Sequence, residues 1–207
     1  MKKFSRFDLL NNVMLSPTGD IINRMFDSKY ARLDIWVPQY DLKRAQVFVS
    51  TVNDLLDDED EDIELFSIDK FIILLYEDFL RQIDYGMTLE TLGNAIRNKL
   101  NELEVRNIKV THYHDNQENK IELNDIVRHM NQKKEIQKMN QERLISFRIL
   151  KKYVLRGEVL LHDLSELHPD IHLTVEELIC LRFRDVLNQI KKGDYSILAN
   201  IVNALSD

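Results

Sequence analysis

The chain has 207 residues, of which 44% are hydrophobic and 30% charged, and its formal net charge is −7. Those values suit one large folded domain or two small ones with a real core; they exclude a disordered chain and argue against a general polyanion binder. The longest apolar run, residues 71–76, is too short to cross a membrane, and no secretory apolar segment stands at the start, so no membrane contact is expected.

Residues 5–15 read as a short helix with Phe7, Leu10 and Met14 on one face. A turn over 16–20 follows, and Asp20 caps a short segment over 21–26. The period then changes to two. Ala31, Leu33, Ile35 and Val37 share one face of a strand that Pro38 ends. A helix over 40–56 carries Leu42, Ala45, Val49, Val52 and Leu56 at spacings of three and four. Ser67 caps the next helix, which runs to Asp84 and is apolar nearly all round, so it belongs at the centre of the fold; Gly86 stops it.

Thr88 opens a further helix striped by Leu89, Leu92, Ile96, Leu100 and Leu103. Residues 107–113 and 120–123 then predict a hairpin in which Ile108 and Val110 share a face with Ile121 and Leu123. From Asn124 onward the pattern is helical. Ile136, Met139, Arg143, Phe147, Leu150 and Val154 form one stripe, Gly157 reads as a stop, and a short helix covers 159–167. Thr174 and Glu177 have the spacing of a capping box, whose helix closes at Lys191-Lys192-Gly193. Asp194 caps a last helix that turns Leu198, Ile201, Val202 and Leu205 inward. The expected fold is therefore mainly α (α+β). Residues 1–123 form an α+β part with a small three-stranded sheet, and 124–207 form a helical part that can share its core.

Candidate chemistry is sparse. The acidic stretch 54–64 lies between two predicted helices, and Asp58, Asp60, Asp62 and Asp69 fall on ligand positions of a calcium loop. Ile63 occupies the position where such a loop needs glycine, and Asp69 replaces the long bidentate glutamate, so a solvated connector is expected. His112 and His114 would point the same way on a strand, while His162, His168 and His172 gather around Pro169; nothing supplies their meeting, and no metal site is expected. The phosphate-loop, dinucleotide, zinc-protease and nucleophile-elbow motifs are all missing, and no cofactor is expected. Cys180, the single cysteine, excludes an internal disulfide framework and sits among apolar neighbours as a core residue would; the cytoplasm is the expected compartment.

The strongest asymmetry is electrostatic. Arg128, Lys133, Lys134, Lys138, Arg143, Arg148, Lys151, Lys152 and Arg156 make residues 128–156 a basic island in an acidic chain, against only Glu135 and Glu142. The leading expectation is a non-catalytic interaction or regulatory protein that meets a protein partner, or a second copy of itself, through charged surfaces. The alternative is a nucleic-acid-binding regulator that uses this region as a phosphate-contacting helix. The order of three helices and a hairpin resembles that of a winged helix, with 107–123 as wing, and lends this alternative some support. A third reading is an enzyme whose site assembles from scattered residues.

Overall fold

In β1 (Tyr30–Pro38) every second residue, Ala31, Leu33, Ile35 and Val37, is buried, as the alternation predicts. Its partner is β2 (Glu142–Leu150), antiparallel and paired along its whole length, from Tyr30 opposite Leu150 to Pro38 opposite Glu142. The computed structural model describes residues 2–14, 29–57, 65–115 and 141–194, with the backbone alone over 103–115. Among these residues the sheet is two-stranded, not three-stranded. Residues 107–113 continue a helix, which removes the predicted hairpin and the wing. The other half of that hairpin, 120–123, lies outside the described residues, as do 16–26, 58–64 and 195–207.

β2 corrects a second expectation, because it lies where the stripe through Phe147 and Leu150 predicts helix. Ile145, Phe147 and Ile149 also alternate, and all three are buried. A strand hides this whole row beside β1, whereas a helix would have carried Arg143 inward with it.

Six helices complete the described residues: α1 (Leu9–Met14), α2 (Gln39–Asp57), α3 (Ile68–Asp84), α4 (Leu89–Asp115), α5 (Lys151–Leu167) and α6 (Val175–Lys191). None is long and apolar enough to cross a membrane. α3 is central. The Lys70 N–H donates to the Ser67 hydroxyl at its start, and Phe71, Ile72, Leu75, Tyr76, Phe79 and Leu80 are buried along it. The Phe71 ring lies 5.0 Å from Phe48 of α2 and 5.8 Å from Phe183 of α6. Burying each such ring contributes roughly 1.5–3 kcal/mol. Gly86, at φ 115°, ends the helix as expected.

Gly157 does not stop a helix; it lies inside α5. A Cβ there would strike the Tyr76 hydroxyl and come within 3.0 Å of Val175 Cγ2. The glycine lets Tyr76 lie against α5, where its hydroxyl donates to the Tyr153 carbonyl at 3.3 Å. α6 opens with the predicted capping box. The Glu177 N–H donates to Thr174 Oγ1 at 3.2 Å, and the Thr174 N–H donates to Glu177 Oε2 at 2.7 Å.

The N-terminal arm is pinned by a buried carboxylate. Glu158 of α5 accepts the Ser5 hydroxyl, the Leu9 N–H at 3.1 Å and the Leu10 N–H at 2.5 Å. The Leu9 and Leu10 amides are among those that any helix start leaves unpaired, and α1 begins at Leu9, not at residue 5. Met14, expected inward, is 59% exposed, while Leu9 and Asn11 are buried. One buried cluster runs from Phe4 through Leu33, Phe71 and Phe147 to Val186.

Candidate interaction surface

The alternation that buries one side of the sheet exposes the other. Across it Tyr30 faces Leu150, Arg32 faces Arg148, Asp34 faces Ser146 and Trp36 faces Leu144. Trp36 is 57% exposed, and Leu144 and Tyr30 are each 48% exposed. Tyr40, just beyond β1 in the first turn of α2, is also exposed and lies 4.7 Å from the Arg44 guanidinium. Tyr30, Arg32 and Trp36 therefore share the outward face of the sheet with Arg148 and Leu144, and Asp34 and Ser146 lie between them.

Its charges are unbalanced. Asp34 accepts the Ser146 hydroxyl at 2.5 Å and the Arg6 guanidinium at 2.5 Å, and Arg32 Nε stands 3.8 Å away. The Ser146 hydrogen bond chiefly, with Arg6 and Arg32 beside it, holds the Asp34 carboxyl below the usual carboxylate range against the opposing effect of burial. Arg148, opposite Arg32, has no ion-pair partner among the described residues. Like charges directly opposite across an antiparallel pair repel. Two arginines, Arg6 and Arg32, thus flank the Asp34 carboxylate, and Arg148 stands opposite one of them.

The basic island divides on the structure. Arg128, Lys133, Lys134 and Lys138 lie outside the described residues. Arg143 and Arg148 belong to a strand, not to the predicted helix, and both are exposed. Lys151 and Lys152 open α5, with Lys152 Nζ 4.8 Å above the Tyr153 ring. Arg156 pairs with Asp84. Arg32, Trp36 and Leu144 are absent from the sequence-based candidates. The row that places Leu33 and Ile35 inside also places Arg32 and Trp36 outside, so the signal is present in the chain.

The remaining candidates separate. The acidic stretch begins inside α2, and its ends are held together by Asn53, whose amide exchanges two hydrogen bonds with the Phe66 backbone at 2.8 and 3.0 Å. Asp69 lies in the first turn of α3, where desolvation raises its carboxyl. His112 and His114 are on α4, so the strand geometry that aligned them does not hold. His162 meets Asp163 and the edge of Phe4, His168 meets Arg97 at 3.2 Å, and His172 meets Lys2. Among the described residues no group of three or more His, Cys, Asp or Glu side chains can hold a metal ion. Cys180 is half-buried; its thiol donates to the Trp36 carbonyl at 3.2 Å, and burial pushes it up to about 11.

No family model, no curated protein and no solved structure matches the chain.

Proposed function

We propose that this chain is a non-catalytic interaction or regulatory protein that holds an acidic protein partner on the outward side of its sheet. The observation that supports this reading is the facing pair Arg32 and Arg148, set between the exposed Trp36 and Leu144 on one side and the exposed Tyr30 on the other. A partner's carboxylate removes the repulsion between the two guanidinium groups, and its apolar side chains cover Trp36 and Leu144. Trp, Tyr and Arg are the residues that most often dominate binding energy at protein interfaces. Arg128, Lys133, Lys134 and Lys138 lead in sequence towards β2 and carry the same sign of charge.

Nucleic acid is the second reading. The exposed Trp36 ring among arginines suits stacking of an unpaired base. Asp34 and Glu142 on the same face, and the net charge of −7, favour a protein instead.

Trp36 is the single tryptophan, so its emission reports on this surface alone. A glutamate-rich peptide carrying leucines is expected to shift that emission to the blue, and the double variant Arg32→Glu, Arg148→Glu is expected to abolish the response. Light scattering beside it reads self-association. Steep, salt-sensitive retention of single-stranded DNA or RNA that the same double variant eliminates would promote the second reading. No response to peptide, nucleic acid or a second copy would remove the surface from consideration.

A further inference from the structure

A two-stranded sheet has two edges, and here the two differ. Just beyond the ends of the ladder, the Gln39 N–H donates to the Gln141 carbonyl at 2.7 Å and the Lys151 N–H to the Lys29 carbonyl at 3.1 Å. Those bonds fix its phase. Odd-numbered residues bond to the partner strand, and even-numbered ones aim their N–H and C=O groups outward at the edges. On the β1 edge the Trp36 carbonyl accepts the Cys180 thiol of α6, and Arg6 of the N-terminal arm reaches Asp34. On the β2 edge the backbone N–H and C=O groups of Leu144, Ser146 and Arg148 have no hydrogen-bond partner among the described residues.

An open edge is a template for pairing with another chain, and folded proteins blunt such edges with prolines, bulges, short length or like charges. β2 uses none of these. Its nine residues pair with β1 in one unbroken register, contain no proline, and carry charges of both signs. At roughly 3.3 Å per residue the edge is about 30 Å long.

We propose that β2 pairs antiparallel with β2 of a second copy of this chain, giving a continuous four-stranded sheet about a two-fold axis. Phase and charge together select the register. Only even-numbered residues carry outward backbone groups, so even must meet even. With the axis at Ile145, Glu142 lies opposite Arg148 of the second copy at both ends, and Leu144 lies opposite Ser146 between them. Moving the axis to Leu144 or Ser146 separates these charges. Glu142 and Arg148 are both exposed, and Arg148 thereby gains a carboxylate where its own chain offers it Arg32. The pairing does not depend on whether the outward face also takes an acidic partner.

The test is sedimentation equilibrium of the full chain, with residue-specific hydrogen exchange over the same concentrations. A dimer with a Kd on the order of 10 µM is expected, as suits an interface of small area. The Leu144, Ser146 and Arg148 amides are expected to exchange fast in the monomer and slowly in the dimer. Leu144→Pro removes one outward N–H, a change that an edge strand tolerates, and is expected to abolish the dimer with the fold intact. Arg148→Glu and Glu142→Arg each set like charges opposite one another across the axis, and each is expected to weaken the dimer about tenfold. The double variant Glu142→Arg, Arg148→Glu is expected to restore it. These charge variants decide the matter if Leu144→Pro fails to fold. The proposal is overturned by a monomer at every concentration, by slow exchange of the three amides already in the monomer, by a dimer that Leu144→Pro leaves intact, by single charge variants without effect, or by a double variant no tighter than the singles.

Discussion

On the inward side of the sheet Leu33 faces Phe147 and Ile35 faces Ile145, all four buried. One residue further along each strand, Arg32 faces Arg148 and Trp36 faces Leu144, open to solvent. The two rows share one backbone and one register, yet they do different physical work. Inward pairs stabilise by leaving water and filling space against the helices. Outward pairs contribute little to stability, and the arginine pair opposes it, so selection for folding does not explain their composition. A pleated strand lets a chain place a core and a contact surface side by side, a few ångströms apart.

The largest expected contrast sets the two rows against each other. Phe147→Ala is expected to cost about 3–5 kcal/mol in denaturant melts, because it removes a buried ring and leaves a void. Trp36→Ala, although it deletes a larger side chain, is expected to cost less than about 1 kcal/mol. Equal losses would mean that Trp36 is covered in the folded chain, and the outward surface would then be a second core.

Next comes the packing behind the inward row. Gly157→Ala drives a methyl group into Tyr76, and a loss of about 1–3 kcal/mol is expected from that crowding. Alanine's better helix propensity, worth about 1 kcal/mol, acts in the opposite direction. A net gain in stability would show that α3 and α5 separate readily, and that the inward side is looser than its burial implies.

The outward row is expected to respond with the opposite sign. Arg148→Glu replaces a repelling pair with an attracting one opposite Arg32, and a gain of about 0.2–1 kcal/mol is expected. Added salt should shrink that gain, since the pair is exposed. A loss of stability would reveal a partner for Arg148 within the chain and would weaken the case for an external one.

The smallest effect concerns pH. The folded Asp34 carboxyl is held below its ordinary value, so the unfolded chain binds its proton more readily. The ionised group therefore stabilises the fold above the usual carboxylate range, and this contribution fades as pH falls through the folded value. Asp34→Asn should be slightly less stable than the parent near neutrality, and the two should converge as pH falls through the folded value. A gap that stays constant as the group protonates would mean that neither the Ser146 hydrogen bond nor the arginines favour the ionised form, and that the loss comes from the substitution itself.

Local features of the chain are decided by the sequence alone. The row from Ala31 to Val37, the Ser67 cap, the Thr174–Glu177 box and the Gly86 and Gly193 helix ends each depend on neighbours within a few positions, so their patterns are unambiguous. The outward placement of Arg32 and Trp36 follows from that same row. β2 is another matter, because Phe147 and Leu150 fit a helical stripe while Ile145, Phe147 and Ile149 fit a strand. Only pairing with β1, over a hundred residues earlier, selects between the two periods, and the same pairing sets Arg148 against Arg32. Ile108 and Val110 alternate like a strand, yet without a glycine or proline to interrupt it α4 runs through them. Gly157 has the look of a helix stop until Tyr76 arrives from α3 to occupy the space its missing side chain leaves. Periodicity states what a segment is able to bury; what it does bury depends on which other surface reaches it, and contacts between distant parts of the chain, not local spacing, supply that surface.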